Sequence, residues 1–91
     1  MNVSVEDITY GENATVFVTL PEDATGKVTI IVYNAGYNLT RTMDLNLGKV
    51  NLTLEGLDVG IYYVNVSYSG DGIYAPTVNN TNFRVINEWL L

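Results

Sequence analysis

The side chains able to do chemistry in this 91-residue sequence are ten acids and seven tyrosines, with no histidine and no cysteine. Glu6, Asp7, Glu12, Glu22, Asp23, Asp58 and Asp71 offer the hard oxygens that calcium takes. Paired carboxylates could also serve general acid/base work. The acids fall in turn-like stretches such as "YGEN" and "LPEDATG", however, and no D-x-D-x-D spacing occurs. They are therefore expected to be solvated turn residues, with calcium between neighbouring domains as the alternative. A melting temperature insensitive to EDTA would eliminate that alternative. Without His or Cys, neither Ser-His-Asp nor Cys-His nucleophilic sites can be assembled, and disulfides and thiolate metal sites are excluded. The expectation is a non-enzymatic protein without cofactor or catalytic metal.

The tyrosines are more informative. "GLDVGIYYVNVSYSGDGIYAP", residues 56–76, holds four of them. Tyr62 follows Gly60 by two residues at the start of a strand-like run, where a ring fills the core edge and its hydroxyl returns to backbone just upstream. That is a tyrosine corner. Tyr68 shares the phase of Tyr62 and is expected to close the other end of the core, with Tyr74 plugged beneath the Gly70-Asp71-Gly72 loop. Tyr63 is out of phase and points outward. With Ile31, Tyr33 and Ile61 on adjacent strands it would form an exposed aromatic patch. A ligand surface made of Tyr63, Tyr33, Ile31 and Tyr37, stacking on sugar rings, competes with a simpler reading. Outward tyrosines also favour ordinary cross-strand pairing.

The elements that must position these residues follow a period of two throughout, and no 3.6-residue apolar period persists. Inward positions are expected at Val3 and Val5; Val16, Val18 and Leu20; Val28, Ile30 and Val32; Leu39, Met43, Leu45 and Leu47, with Arg41 breaking the pattern; Val50, Leu52 and Leu54; Tyr62, Val64, Val66 and Tyr68; Phe83 and Val85. Gly, Asn and Asp separate these runs about every ten residues. An all-β, antiparallel sandwich of about seven strands with Greek-key connections is predicted. The length suits one domain, and 47% hydrophobic with 15% charged residues suits a packed one.

The formal charge of −6, with Lys27, Arg41, Lys49 and Arg84 scattered, leaves no basic stripe for nucleic acid or anionic membranes. No apolar run reaches the roughly 20 residues a membrane helix needs. The start reads as a strand rather than a signal peptide, so any such signal is expected in a longer parent chain.

Three segments carry a resemblance: the opening "YGENATVFVTLPEDATG", the run "GLDVGIYYVNVSYSGD" and the "YAP" that follows. Over about residues 2–86 the chain resembles the immunoglobulin-like repeats of adhesin-like surface proteins of methanogenic archaea, and related bacterial Ig-like repeats. The resemblance implies an immunoglobulin-like domain over residues 1–86 in a tandem stalk at the cell surface, with neighbouring repeats as partners. It brings no catalytic residues. Cell-surface glycan or protein is the further partner class, and residues 87–91 are a tail or the start of a linker. Within that tail, Trp89, Leu90 and Leu91 are more apolar than a usual repeat end. The sequence also holds Asn-x-Ser/Thr triplets at Asn2, Asn13, Asn38, Asn51, Asn65 and Asn79. Chance from the composition would give about one or two, and Asn51 and Asn65 fall in outward phase. Asn13, Asn38, Asn51, Asn65 and Asn79 are therefore candidate glycosylation sites. A Lys–Asn covalent staple is not expected, because Lys27 and Lys49 flank turns; a Thr–Gln ester is excluded because Gln is absent. The expected mass is that of the unmodified sequence.

Overall fold

The computed structural model describes residues 1–87. Its strands are β1 (Asn2–Ser4), β2 (Ile8–Thr9), β3 (Ala14–Thr19), β4 (Lys27–Asn34), β5 (Tyr37–Asp44), β6 (Lys49–Leu54), β7 (Gly60–Tyr68) and β8 (Thr77–Ile86). They form two sheets, β1-β3-β6 and β2-β8-β7-β4-β5. This is the expected immunoglobulin-like sandwich with one strand more than the sequence suggested. The first expected strand is divided: β1 pairs antiparallel with β3, then the chain crosses over and β2 runs parallel to β8 through Ile8↔Val85 and Thr9↔Ile86. Asp7, just ahead of that crossing strand, accepts a hydrogen bond from the Arg84 backbone N–H at 2.8 Å. The carboxylate thus stands in for the ladder partner that β2 is too short to supply.

Alternation decides what lies between the sheets. Val16 and Val18 from β3, Val28, Ile30 and Val32 from β4, Val64 and Val66 from β7, and Phe83 and Val85 from β8 are all buried. Successive side chains of a strand point to opposite faces, so one in two enters the core and the intervening polar residues remain in water. No polar or charged residue is buried among the described residues. Without a disulfide, the fold is held by apolar burial and backbone ladders.

The expected inward set fails at one place. Alternation predicts Leu47 in the core, but it is 66% exposed. It sits at the tip of a two-residue hairpin in which Asn46 and Lys49 exchange backbone hydrogen bonds, and both central residues, Leu47 (φ 52°) and Gly48 (φ 75°), have positive φ. Such turns match the twist of the flanking strands and interrupt the period of two. A Cβ on Gly48 would collide with the Pro21 and Leu20 carbonyl oxygens, so glycine is required there. Along β5, Tyr37, Leu39 and Met43 are only half-buried and Arg41 is exposed. The strand is the edge of the wider sheet and pairs on one side only, with β4.

Candidate functional site

Antiparallel pairing places β4, β7 and β8 side by side, as an aromatic patch on the outer face requires. Tyr33 lies directly opposite Tyr63, their ring centroids 5.6 Å apart and their planes tilted by 32°. They are 36% and 45% exposed. The same register sets Asn38 of β5 beside Tyr33 and Asn82 of β8 beside Tyr63. One row across four strands therefore reads Asn38–Tyr33–Tyr63–Asn82. Ile31 belongs to the next row, half-buried between Thr40 and Asn65, while Ile61 faces Arg84 on the row beyond Tyr63.

Tyr37 does not join this surface. It has the inward phase of β5 and packs edge-on against Tyr62, with centroids 5.5 Å apart and planes at 84°. Tyr62 in turn stacks on Phe83 at 5.3 Å and donates its hydroxyl to the Asp58 carbonyl at 2.8 Å, which closes the tyrosine corner. Gly60 enters the strand at φ 152°. Burial, then the Asp58 charge, raise the Tyr62 phenol above its ordinary value, so it remains neutral and donating. Between the 34–37 turn and the 56–59 loop lies an open cleft of about 500 Å³, with Tyr37, Tyr62, Tyr63 and Asp58 among its walls. Tyr63 is shared by this cleft and the outer row.

The acids resolve into local structural roles. Asp71 accepts four hydrogen bonds: Ile73 N–H and Tyr74 N–H on one oxygen, Thr25 N–H and the Thr25 hydroxyl on the other, at 2.8–3.2 Å. The Tyr74 backbone bond, followed by that of Thr25, holds its carboxyl well below the usual range. A carboxylate so fully occupied is an anchor between two loops, not a proton carrier. Asp23 accepts from the Tyr74 hydroxyl at 2.6 Å and raises that phenol, while burial and then the Asp71 charge raise Tyr68, whose hydroxyl donates to Thr25 O. Glu12 accepts from Thr9 N–H within its own turn. No three acidic side chains converge as a metal site among the described residues.

The candidate glycosylation asparagines differ in access. Asn13, Asn38 and Asn51 are exposed, and Asn65 is half-buried in the outer face. Asn79 lies in inward phase on β8 and donates to the Met1 carbonyl at 3.2 Å. Lys27 pairs with Asp44 at 2.9 Å in solvent. Trp89, Leu90 and Leu91 lie outside the described residues.

Sequence reasoning located Tyr33 and Tyr63 but missed the flanking amides and the loop anchor. Asn82 carries no motif and becomes visible only through strand register. Asp71 resembles any Gly-Asp-Gly turn acid until the distant Thr25 is brought to it. No curated protein and no solved structure matches the chain. Residues 1–86 match the family model described as bacterial Ig-like domain (group 3), and over that span, with its two-sheet fold and tyrosine corner, the chain belongs to that family.

Proposed function

We propose that the chain is a non-catalytic spacer repeat in the stalk of a large adhesin-like protein, outside the cell and flanked by further repeats. Domains of the family commonly occur in extracellular or surface proteins and are typically non-catalytic. The observation that carries the proposal is the placement of the two chain ends. β1 starts beside the end of β3 (Asn2↔Thr19), whereas β8 ends beside the start of β7, so the chain enters one pole and leaves at the other. The body between is elongated, 48 × 22 × 16 Å. Units joined end to end through such poles add length with each copy, as a stalk needs. The resemblance to repeats of methanogen surface proteins supports the same reading, and the exposed candidate acceptors Asn13 and Asn51, away from the Tyr33–Tyr63 row, would suit a glycosylated exterior.

Sequencing the parent gene outward from both ends tests this. Many similar units with a signal peptide upstream and an envelope anchor downstream are expected. A short parent in which this domain is fused to a catalytic domain would overturn the stalk.

A further inference from the structure

We propose that the outer row Asn38–Tyr33–Tyr63–Asn82 is a binding site for a linear, uncharged polysaccharide. The inference stands apart from the stalk reading, since a spacer needs only stability and solubility and has no use for this row.

Tyr33 and Tyr63 are neighbouring, partly exposed rings with hydroxyl tips, on a rigid sheet rather than on loops. A pyranose carries axial C–H groups on its faces and hydroxyls around its rim. Its faces stack on aromatic rings, and its rim needs groups that both donate and accept. The amide side chains of Asn38 and Asn82 do both. Both are exposed, and neither side chain makes a hydrogen bond within the described residues, so their capacity is unspent. Aromatics in the middle with free amides at each end is the order a sugar chain lying across the strands would require.

Dimensions agree with this occupant. Adjacent strands lie about 4.8 Å apart, so the row spans roughly 14 Å, the length of about three pyranose rings in an extended chain. The cleft beside Tyr63 adds room beyond the aromatic pair, with the Asp58 side chain exposed at its wall.

Charge narrows the class. None of the four row residues is ionic, and the nearest cation on the outer face, Arg84, stands opposite Ile61 in the adjoining row. The chain as a whole carries −6. Uronate or sulfated chains would be repelled, leaving neutral hexose or N-acetylhexosamine polymers. A protein partner fits less well, because a stable protein interface centres on a dry apolar core of about 800 Å² per side. Here the two rings are bounded on both sides by amides; the adjoining rows add one isoleucine each, Ile31 among polar Thr40, Asn65 and Asn80 and Ile61 opposite Arg84, too little for such a core.

The test is an NMR titration of the isotopically labelled full chain, made without glycosylation because Asn38 and Asn65 begin Asn-x-Ser/Thr triplets. The probes are cellohexaose, N-acetylchitohexaose and mannohexaose, with hexagalacturonate as the anionic control. Saturable shifts centred on Asn38, Tyr33, Tyr63 and Asn82 are expected with at least one neutral probe. Tyr63→Ala and Tyr33→Ala should each weaken it about tenfold or more, the loss of one stacked ring. Asn82→Ala should weaken it a few-fold. Tyr10→Ala removes a tyrosine that is 59% exposed but lies off the row, and should change nothing. The tyrosine variants should melt cooperatively a few degrees below wild type, the worth of one cross-strand ring pair, and an amide spectrum unchanged away from the row separates lost binding from lost folding. No saturable shift with any neutral probe would overturn the proposal. So would shifts that survive both tyrosine substitutions, or equal binding of hexagalacturonate. Reading the parent gene bears only on the stalk, so the two proposals fail separately.

Discussion

At the pole where the chain enters, tyrosine and aspartate side chains reach across large stretches of sequence. Tyr68 donates to Thr25, Tyr74 donates to Asp23, and Asp71 accepts from Thr25, ties spanning 43, 51 and 46 residues. They bind the β3–β4 loop to the β7–β8 loop, and the β5–β6 hairpin closes against Pro21 through Gly48. At the opposite pole Tyr62 reaches only four residues back, to Asp58. Tyr62 also meets Tyr37 of the 34–37 turn edge-on at its base, and above that contact the gap between turn and loop is the open cleft beside Tyr63. Loop-to-loop side-chain ties close one end; at the other the long ties hold strand to strand, Asp7 to Arg84, and the gap between the two loops stays open. A ligand surface gains from the second arrangement, since its walls are rigid but not plugged.

The glycines break this comparison most forcefully. Gly48→Ala would add positive-φ strain and drive a Cβ to within 2.8 Å of Leu20 and Pro21 backbone atoms, and is expected to cost at least about 3 kcal/mol. Gly56→Ala at the open pole has φ 68° but meets nothing within 4 Å, so only the conformational cost of about 1–2 kcal/mol remains. Equal losses in chemical denaturation would show that the two poles are packed alike.

Removing one hydroxyl sharpens the contrast. Tyr62→Phe keeps the ring stacked on Phe83 but orphans the Asp58 carbonyl, and should cost about 1–3 kcal/mol. Amide exchange should accelerate in the 56–59 loop and stay unchanged at residues 70–74. Acceleration at both ends would mean that the corner is coupled to the distant staple.

Acid should act on the entry pole first. The Asp71 carboxyl is depressed in the fold, so its contribution is fully present above the ordinary carboxylate value of about 3.9 and is lost as pH falls through the lower folded value. Between pH 4 and pH 2 the wild type should lose melting temperature more steeply than Asp71→Asn. That variant is already less stable at pH 7, since one carboxylate oxygen becomes an amide that cannot accept from Thr25. Parallel curves would refute the anchor. Alkali should act on both poles, because Tyr62, Tyr68 and Tyr74 all have raised phenols; the stability they lend below about pH 10 is lost above it.

Much of this was legible in the sequence for a physical reason. Period-two burial is written in residue type, so the inner faces of β3, β4 and β7, and the outward phase of Tyr33 and Tyr63, could be read directly. Tyr62 was legible because its partner lies four residues away. What stayed hidden depends on which distant segments meet. Neither Asn82 beside Tyr63 nor Thr25 beside Asp71 leaves a mark in local spacing. The division of the first strand between two sheets was hidden likewise, because two residues of parallel pairing carry no pattern.

Leu47 shows the same limit and gives the smallest test. Its type suggested core, but the two-residue hairpin forces φ to 52°, where a Cβ crowds the following carbonyl. An apolar side chain 66% exposed contributes little burial to offset that strain. Asparagine tolerates the left-handed region and suits such hairpins. Leu47→Asn should therefore raise stability by about 0.5–1 kcal/mol in denaturant melts. A loss instead would mean that Leu47 makes a contact at the entry pole worth more than its strain. The closed end would then extend beyond its tyrosine ties to the tip of the β5–β6 hairpin.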